Sequence, residues 1–258
     1  MKLSLFDLSG KVAIVTGGCS GLGITFSEAL AQAGADIVVA DVMVGTQQCQ
    51  DACTTIQKHG TKVFPVKCDV TKEPDVDNLA TTTVKEFGKI DILVNSAGIF
   101  GENKRVTDMS AENWDKVIAV DLKGSFLCCR AVGREMIKQN AGKIINISSA
   151  SSFKALPGMA AYAAAKAAVI MLTKTMALEL ARYNIQVNTL SPGYFITPLN
   201  RDFFETEGGK KLIAGWPMRR PGNVEELKGM IILLASRAIP SRTTGYSKWL
   251  AAKTHAIS

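Results

Sequence analysis

The sequence predicts an α/β fold, a doubly wound parallel sheet with helices on both faces. Short apolar runs alternate with longer stretches of helical period along the chain, the order expected of repeated βαβ units. Most runs are continuous in Val, Ile and Leu instead of alternating with polar residues, as strands read when both faces of a sheet are covered. A glycine-rich turn joins the first run to the first helical stretch.

The first strand is expected at 11–16. It runs into Thr16-Gly17-Gly18-Cys19-Ser20-Gly21-Leu22-Gly23 and a helix over 21–34. Gly17 allows a tight turn, Gly21 lets backbone approach a pyrophosphate, and Gly23 lets helix pack on strand. The helix N-terminus then presents unpaired N–H groups to the phosphates. The second strand, 36–41, ends on Asp41, 18 residues after Gly23. A carboxylate there can accept both adenosine ribose hydroxyls and repels a 2′-phosphate. Ser20 and Val42 leave no Arg or Lys to welcome that phosphate, so the sequence favours NAD(H) over NADP(H). This is a Rossmann-like arrangement.

Further strands are expected at 62–67, 90–95, 143–148 and 185–191, with helices near 46–59, 72–87, 110–139, 157–183 and 223–236. The segment 193–222, rich in Gly, Pro and aromatics, is the least regular; its place after the sixth strand suits a mobile flap over a substrate. No repeat, low-complexity stretch or charge block interrupts the pattern, so residues 1–258 read as one NAD-binding catalytic domain.

Tyr162 and Lys166 stand four apart on a helical pattern and share a face. A free tyrosine, with a pKa of about 10, is a poor base near neutrality; lowering it by roughly three units takes about 4 kcal/mol. One cation at about 4 Å, in an effective dielectric near 20, supplies energy of that order. Lys166, helped by oxidised nicotinamide, is therefore expected to make Tyr162 a working acid/base.

Composition excludes other classes. The formal charge is +7, from 30 Lys+Arg against 23 Asp+Glu, but the basic residues are dispersed and no basic run is interleaved with aromatics, so no nucleic-acid partner is expected. Cys19, Cys49, Cys53, Cys68, Cys128 and Cys129 form no C-x-x-C pair and only His59 and His255 could assist them, so no metal site is expected. Reduced, mostly buried thiols in a cytoplasmic protein are expected instead. The N-terminus lacks a signal-peptide core, and Lys166, Lys174 and Glu179 interrupt the apolar stretch 160–181, against a membrane partner.

The Gly17-x-x-x-Gly21-x-Gly23 spacing, Asp69-Val70, Asn95-Ser96-Ala97-Gly98, Ser149 thirteen residues before Tyr162, Tyr162-x-x-x-Lys166, Pro192-Gly193 and Thr197 together resemble the short-chain dehydrogenase/reductase family over about residues 6 to 245. The resemblance implies that Asp69 and Val70 meet adenine, that Asn95, Ala97 and Gly98 also border the cofactor, and that Pro192, Gly193 and Thr197 meet the nicotinamide. It implies that Ser149 holds the substrate oxygen, Tyr162 exchanges the proton, and Lys166 also grips the nicotinamide ribose; Ser148 and Ser151 are the alternatives to Ser149. Two positions depart from the family. Asp121 stands where an Asn supports the proton relay, and Tyr246–Ser258 lacks the usual Asp-Gly-Gly turn beyond Thr244-Gly245, leaving the last strand and the assembly contact open.

The stretches around Asp121–Cys128 and Ser191–Pro198 look similar to gluconate 5-dehydrogenase-type and polyol dehydrogenases. They imply an oxidoreductase moving a hydride between NAD(H) and a secondary alcohol or ketone of a polyol, sugar or sugar acid. A 3-oxoacyl-thioester reductase and a hydroxysteroid-type dehydrogenase are the alternatives, and a catalytically weak NAD-binding regulatory protein is the alternative of another class. The family implies a homotetramer or dimer built on the helices near 110–139 and 157–183.

Overall fold

The computed structural model describes residues 4–197, 200–239 and 248–251, the last as backbone alone. Among the described residues seven strands form one sheet: β1 (Val12–Thr16), β2 (Asp36–Asp41), β3 (Val63–Lys67), β4 (Ile92–Asn95), β5 (Gly142–Ile147), β6 (Ile185–Pro192) and β7 (Lys248–Ala251). Their order is β3-β2-β1-β4-β5-β6-β7, and every neighbouring pair is parallel.

The helices are α1 (Gly21–Gln32), α2 (Gln47–Gln57), α3 (Glu73–Phe87), α4 (Ala111–Val117), α5 (Ser125–Gln139), α6 (Ala160–Leu180), α7 (Arg201–Glu205), α8 (Glu207–Ala214) and α9 (Lys228–Ala235). Alternate residues of β1 feed two cores. Ala13 and Val15 pack with Phe26 and Leu30 of α1, Ile56 of α2 and Ile231 of α9. Val12 and Ile14 pack with Leu79 of α3, Met136 of α5 and Ala177 of α6. Both faces are therefore covered, which is why the strands are continuous in apolar residues. A fully buried Leu or Ile contributes roughly 1.5–3 kcal/mol, so these two layers supply most of what holds the sheet.

Sheet order reverses between β1 and β4, and a doubly wound sheet opens a crevice at the carboxyl ends of its strands there. The ends are tied together: Thr16 Oγ1 accepts from the backbone N–H groups of Ser96 and Ala97, each at 3.1 Å.

Four expectations need amendment. The helix over 110–139 is broken by a π turn, Ile118–Gly124, between α4 and α5. The irregular segment 193–222 contains α7 and α8. A last strand exists: β7 pairs Thr189 with Lys248 through Pro192 with Ala251; Thr244-Gly245 and residues 252–258 lie outside the described residues. Finally, Cys19 and Cys49 are joined as a disulfide, with Cα atoms 4.8 Å apart. The parallel neighbours β1 and β2 bring the turn after one against the helix after the other, within bridging range. Cys53, Cys68, Cys128 and Cys129 are free. Burial, then the carboxylates of Asp75, Asp69 and Asp41, pushes Cys68 up to about 12, and such a thiol is inert.

The segment Ala160–Tyr183 is long and apolar enough to cross a membrane. Its Ala161, Ala165, Lys166, Val169, Thr173 and Ala177 are nevertheless buried, and α6 packs on β6 and the π turn, the placement of a core helix.

Candidate active site

A cleft of about 680 Å³ runs from the β1–α1 turn to the ends of β5 and β6. At the β1–α1 turn the backbone defines its shape. Gly17 has φ +66°, and a Cβ there would stand 3.0 Å from Ala97 Cα. A Cβ at Gly23 would collide with the Gly17 carbonyl. Ser20 caps α1 with extended backbone and no side-chain bond, and the first turn carries no acid, so its N–H groups suit an anion. Gly21, Leu22, Ala97 and Gly98 also line this part.

Asp41 is 7% exposed; its Oδ2 accepts from Cys19 N and its Oδ1 from Met43 N, both at 3.0 Å. A carboxylate has about four acceptor sites, so two donors leave capacity for a diol. A glycine cradle that side chains would fill, a helix N-terminus and a half-satisfied carboxylate fit a nicotinamide dinucleotide.

Four expected cofactor residues, Asp41, Asp69, Val70 and Asn95, are not among those that line the cleft itself. The Asp69 carboxylate accepts from Thr71 N at 3.0 Å and Thr71 Oγ1 at 2.7 Å; the Thr71 hydroxyl leads in holding its pKa below the usual value, against burial. Val70 is buried, beside Gly124. Asn95 Nδ2 donates to Asn146 Oδ1 at 2.8 Å and to Cys129 Sγ at 3.1 Å, inside the core. A residue after a strand can turn inward, and residue type alone does not decide which way.

At the other end Ser149, Tyr162 and Lys166 converge, with Pro192, Gly193 and Thr197 along the same wall. Lys166 Nζ lies 5.6 Å from the Tyr162 ring centroid. It donates to the Ile147 carbonyl at 3.1 Å and meets Asp121 Oδ2 at 3.2 Å. Ser149 and Tyr162 line the same end of the cleft, and Ser149 pulls the phenol's pKa down. Ser151 orients it, donating to Ser149 Oγ from its backbone N–H at 3.2 Å and its hydroxyl at 2.9 Å. Ser148 donates to the Lys166 carbonyl at 2.7 Å and so ties β5 to α6.

Burial raises the Tyr162 phenol above the ordinary tyrosine value; Lys166 and Ser149 pull it down, and Asp121 pushes it further up. Lys166 thus acts in the expected direction, and desolvation outweighs it. Burial opposes the Lys166 ammonium, but Asp121 and then Tyr162 outweigh it, and its pKa stands above that of an ordinary lysine.

Sequence reasoning missed the aromatic wall. Phe100 tilts over Tyr162, centroids 4.5 Å apart. Tyr194 stacks on Trp216 at 4.9 Å and 20°, and Phe204 sets its ring edge-on to both. Asn200 Nδ2 donates to the Phe195 carbonyl at 2.8 Å, holding this segment beside β6. The only sequence signal was the richness of 193–222 in aromatics.

The family model described as short chain dehydrogenase matches residues 11–208. An NAD-dependent glycerol dehydrogenase of Listeria innocua is 36% identical, covering 90% of this chain and 89% of its own length. A 3-oxoacyl-(acyl-carrier-protein) reductase of Synechocystis is 38% identical, covering 92% and 94%. The crystal structure of a gluconate 5-dehydrogenase from Burkholderia cenocepacia, in complex with NADP and tartrate, superposes with a TM-score of 0.90 at 36% identity, covering 97% of each chain. This chain belongs to the short-chain dehydrogenase family, whose members bind a nicotinamide cofactor and carry out oxidation and reduction at alcohol and ketone groups.

Proposed function

We propose that the protein transfers a hydride between NAD(H) and a secondary alcohol or ketone of a polyol, sugar or sugar acid. The observation that carries this is the convergence of Ser149, Tyr162 and Lys166 at the far end of a cleft that begins in the glycine cradle. When bound, the nicotinamide supplies or accepts the hydride. Ser149 holds the substrate oxygen, Tyr162 exchanges its phenolic proton with that oxygen, and Lys166 fixes the phenol's surroundings and reaches the cofactor's ribose. Asp41 selects NAD(H), because a 2′-phosphate would meet a buried carboxylate; the names of the relatives point both ways, to NAD in one and NADP in another. We further propose a dimer or tetramer, supported by the exposed apolar residues Met171 and Leu178 on α6.

Fluorescence titration with NADH and NADPH tests the cofactor: NADH binds more tightly, and Asp41→Ala narrows the gap. Equal affinities in the parent protein remove the NAD assignment. Steady-state assays across polyols, sugar acids, 3-oxoacyl thioesters and steroids identify the substrate class. On the best substrate, Tyr162→Phe lowers kcat by roughly 10²–10⁴ with NADH affinity kept; retained turnover assigns the proton to another group.

A further inference from the structure

Asp121 occupies the π turn between α4 and α5 and is 0% exposed. Its Oδ1 accepts from Ile99 N at 2.8 Å, its Oδ2 faces Lys166 Nζ at 3.2 Å, and its own carbonyl accepts the Ser125 hydroxyl at 2.8 Å. Both groups that face the side chain, an amide N–H and an ammonium, are donors. A carboxylate accepts from the amide and forms an ion pair with the ammonium; an amide side chain would have to turn its NH₂ toward one of them. The local chemistry therefore suits Asp. The pair is packed against the Gly98 backbone, where a Cβ would come within 3.1 Å of Asp121 Oδ2 and 3.2 Å of Lys166 Nζ.

We infer that Asp121 is a positioning residue for proton transfer: its carboxylate pins the Lys166 ammonium in a direct ion pair and offsets the cation's field at Tyr162, so that Tyr162 keeps its proton at neutral pH and the site favours carbonyl reduction over alcohol oxidation. This rests on the role proposed above for Tyr162.

A cation alone would draw the phenol toward phenolate. With an anion 3.2 Å from that cation, the phenol faces a dipole instead of a charge, and the two fields largely cancel beyond that separation. The other groups facing Tyr162 are Ser149 after β5, the Tyr194 phenol after β6 and the Phe100 ring after β4. All three are neutral. Lys154 and Lys211 line the same cleft, but among the described residues Lys166 is the cation that acts on the phenol, which burial first and Asp121 in addition hold above its ordinary value. In reduction, the carbonyl oxygen takes the phenolic proton while the carbonyl carbon takes the hydride. The C=O π bond becomes C–H and O–H bonds, the nicotinamide is left oxidised, and the phenolate is reprotonated from water. Oxidation needs the phenolate first, and so a more alkaline solution.

The test uses the cofactor-free protein. Phenolate absorbance is followed against pH in the parent, Asp121→Asn and Asp121→Ser, each with the matching Tyr162→Phe variant subtracted. Both substitutions remove the charge but differ in donors and size, so one informs if the other folds poorly. The Tyr162 transition is expected about one pH unit lower in both, giving about tenfold more phenolate at any pH below the transition. The alkaline rise of kcat/KM for alcohol oxidation moves by the same amount. A transition that coincides with the parent's overturns the inference even if the parent turns over its substrate. A shifted transition in a protein that turns over no alcohol or ketone leaves the electrostatic role of Asp121 standing and removes the catalytic role of Tyr162.

Discussion

The turn after β1 and the segment after β6 face each other across one cleft but hold their shapes by different means. The first is built from backbone: Gly17 and Gly23 pack where no side chain fits, Cys19 N binds Asp41, and a disulfide fastens the turn to α2. The second is built from side chains, with Tyr194, Phe204 and Trp216 packed ring against ring. A shape made by backbone is the same for any sequence that meets its steric demands. A shape made by rings changes with each ring. The cofactor end is therefore legible from residue type, whereas the substrate end depends on contacts that type does not specify.

The comparison breaks or sharpens under three perturbations. Reducing the Cys19–Cys49 bridge opens a closure of 30 residues, worth roughly 3.6 kcal/mol in the chain-entropy account. The melting temperature is expected to fall by roughly 7–14 °C; identical melting of oxidised and reduced protein would show that the turn needs no covalent tie. Gly23→Ala sets a methyl group against the Gly17 carbonyl. Overpacking of this kind costs about 1–3 kcal/mol, so NADH affinity should drop roughly five- to hundredfold while the circular dichroism spectrum persists. Trp216→Ala removes a stacking partner worth about 0.5–1.5 kcal/mol. Substrate KM is expected to rise roughly two- to tenfold with NADH affinity unchanged, and a loss of NADH affinity instead would mean that the two ends are not separable.

Much of the fold was legible because the strands are buried on both faces. The run expected at 185–191 is β6, Ile185–Pro192, and the helix expected over 21–34 is α1, Gly21–Gln32. Tyr162 and Lys166 were legible through their spacing, and Ser149 through family resemblance. The π turn was not, since one extra residue per turn leaves the apolar period of 110–139 almost unchanged. The Cys19–Cys49 pair was hidden by sequence distance, because only the adjacency of β1 and β2 brings its halves together. Asn95 matched a pattern, yet its side chain bonds into the core, and Asp69 holds its own turn through Thr71. For Tyr162 the cation acts in the expected direction, whereas burial, which acts on a group only once the fold has enclosed it, could not be read from spacing.

β3, at the outer edge of the sheet, has a proline in its middle. The Lys62 carbonyl accepts from Ile37 N at 2.8 Å, and Cys68 N donates to the Asp41 carbonyl at 3.1 Å, so even-numbered residues direct their backbone groups toward β2. Odd-numbered residues direct theirs outward, and Pro65, exposed at the centre of the strand, has no N–H to offer there. An incoming strand would find the central rung of the ladder missing, with the exposed Lys67 beside it. Free edges invite strand addition and aggregation, and a proline on the outward side blunts them at no cost to the inner pairing. The sheet cannot readily be extended on that side, which protects the protein at high concentration from growing, edge to edge, into fibres.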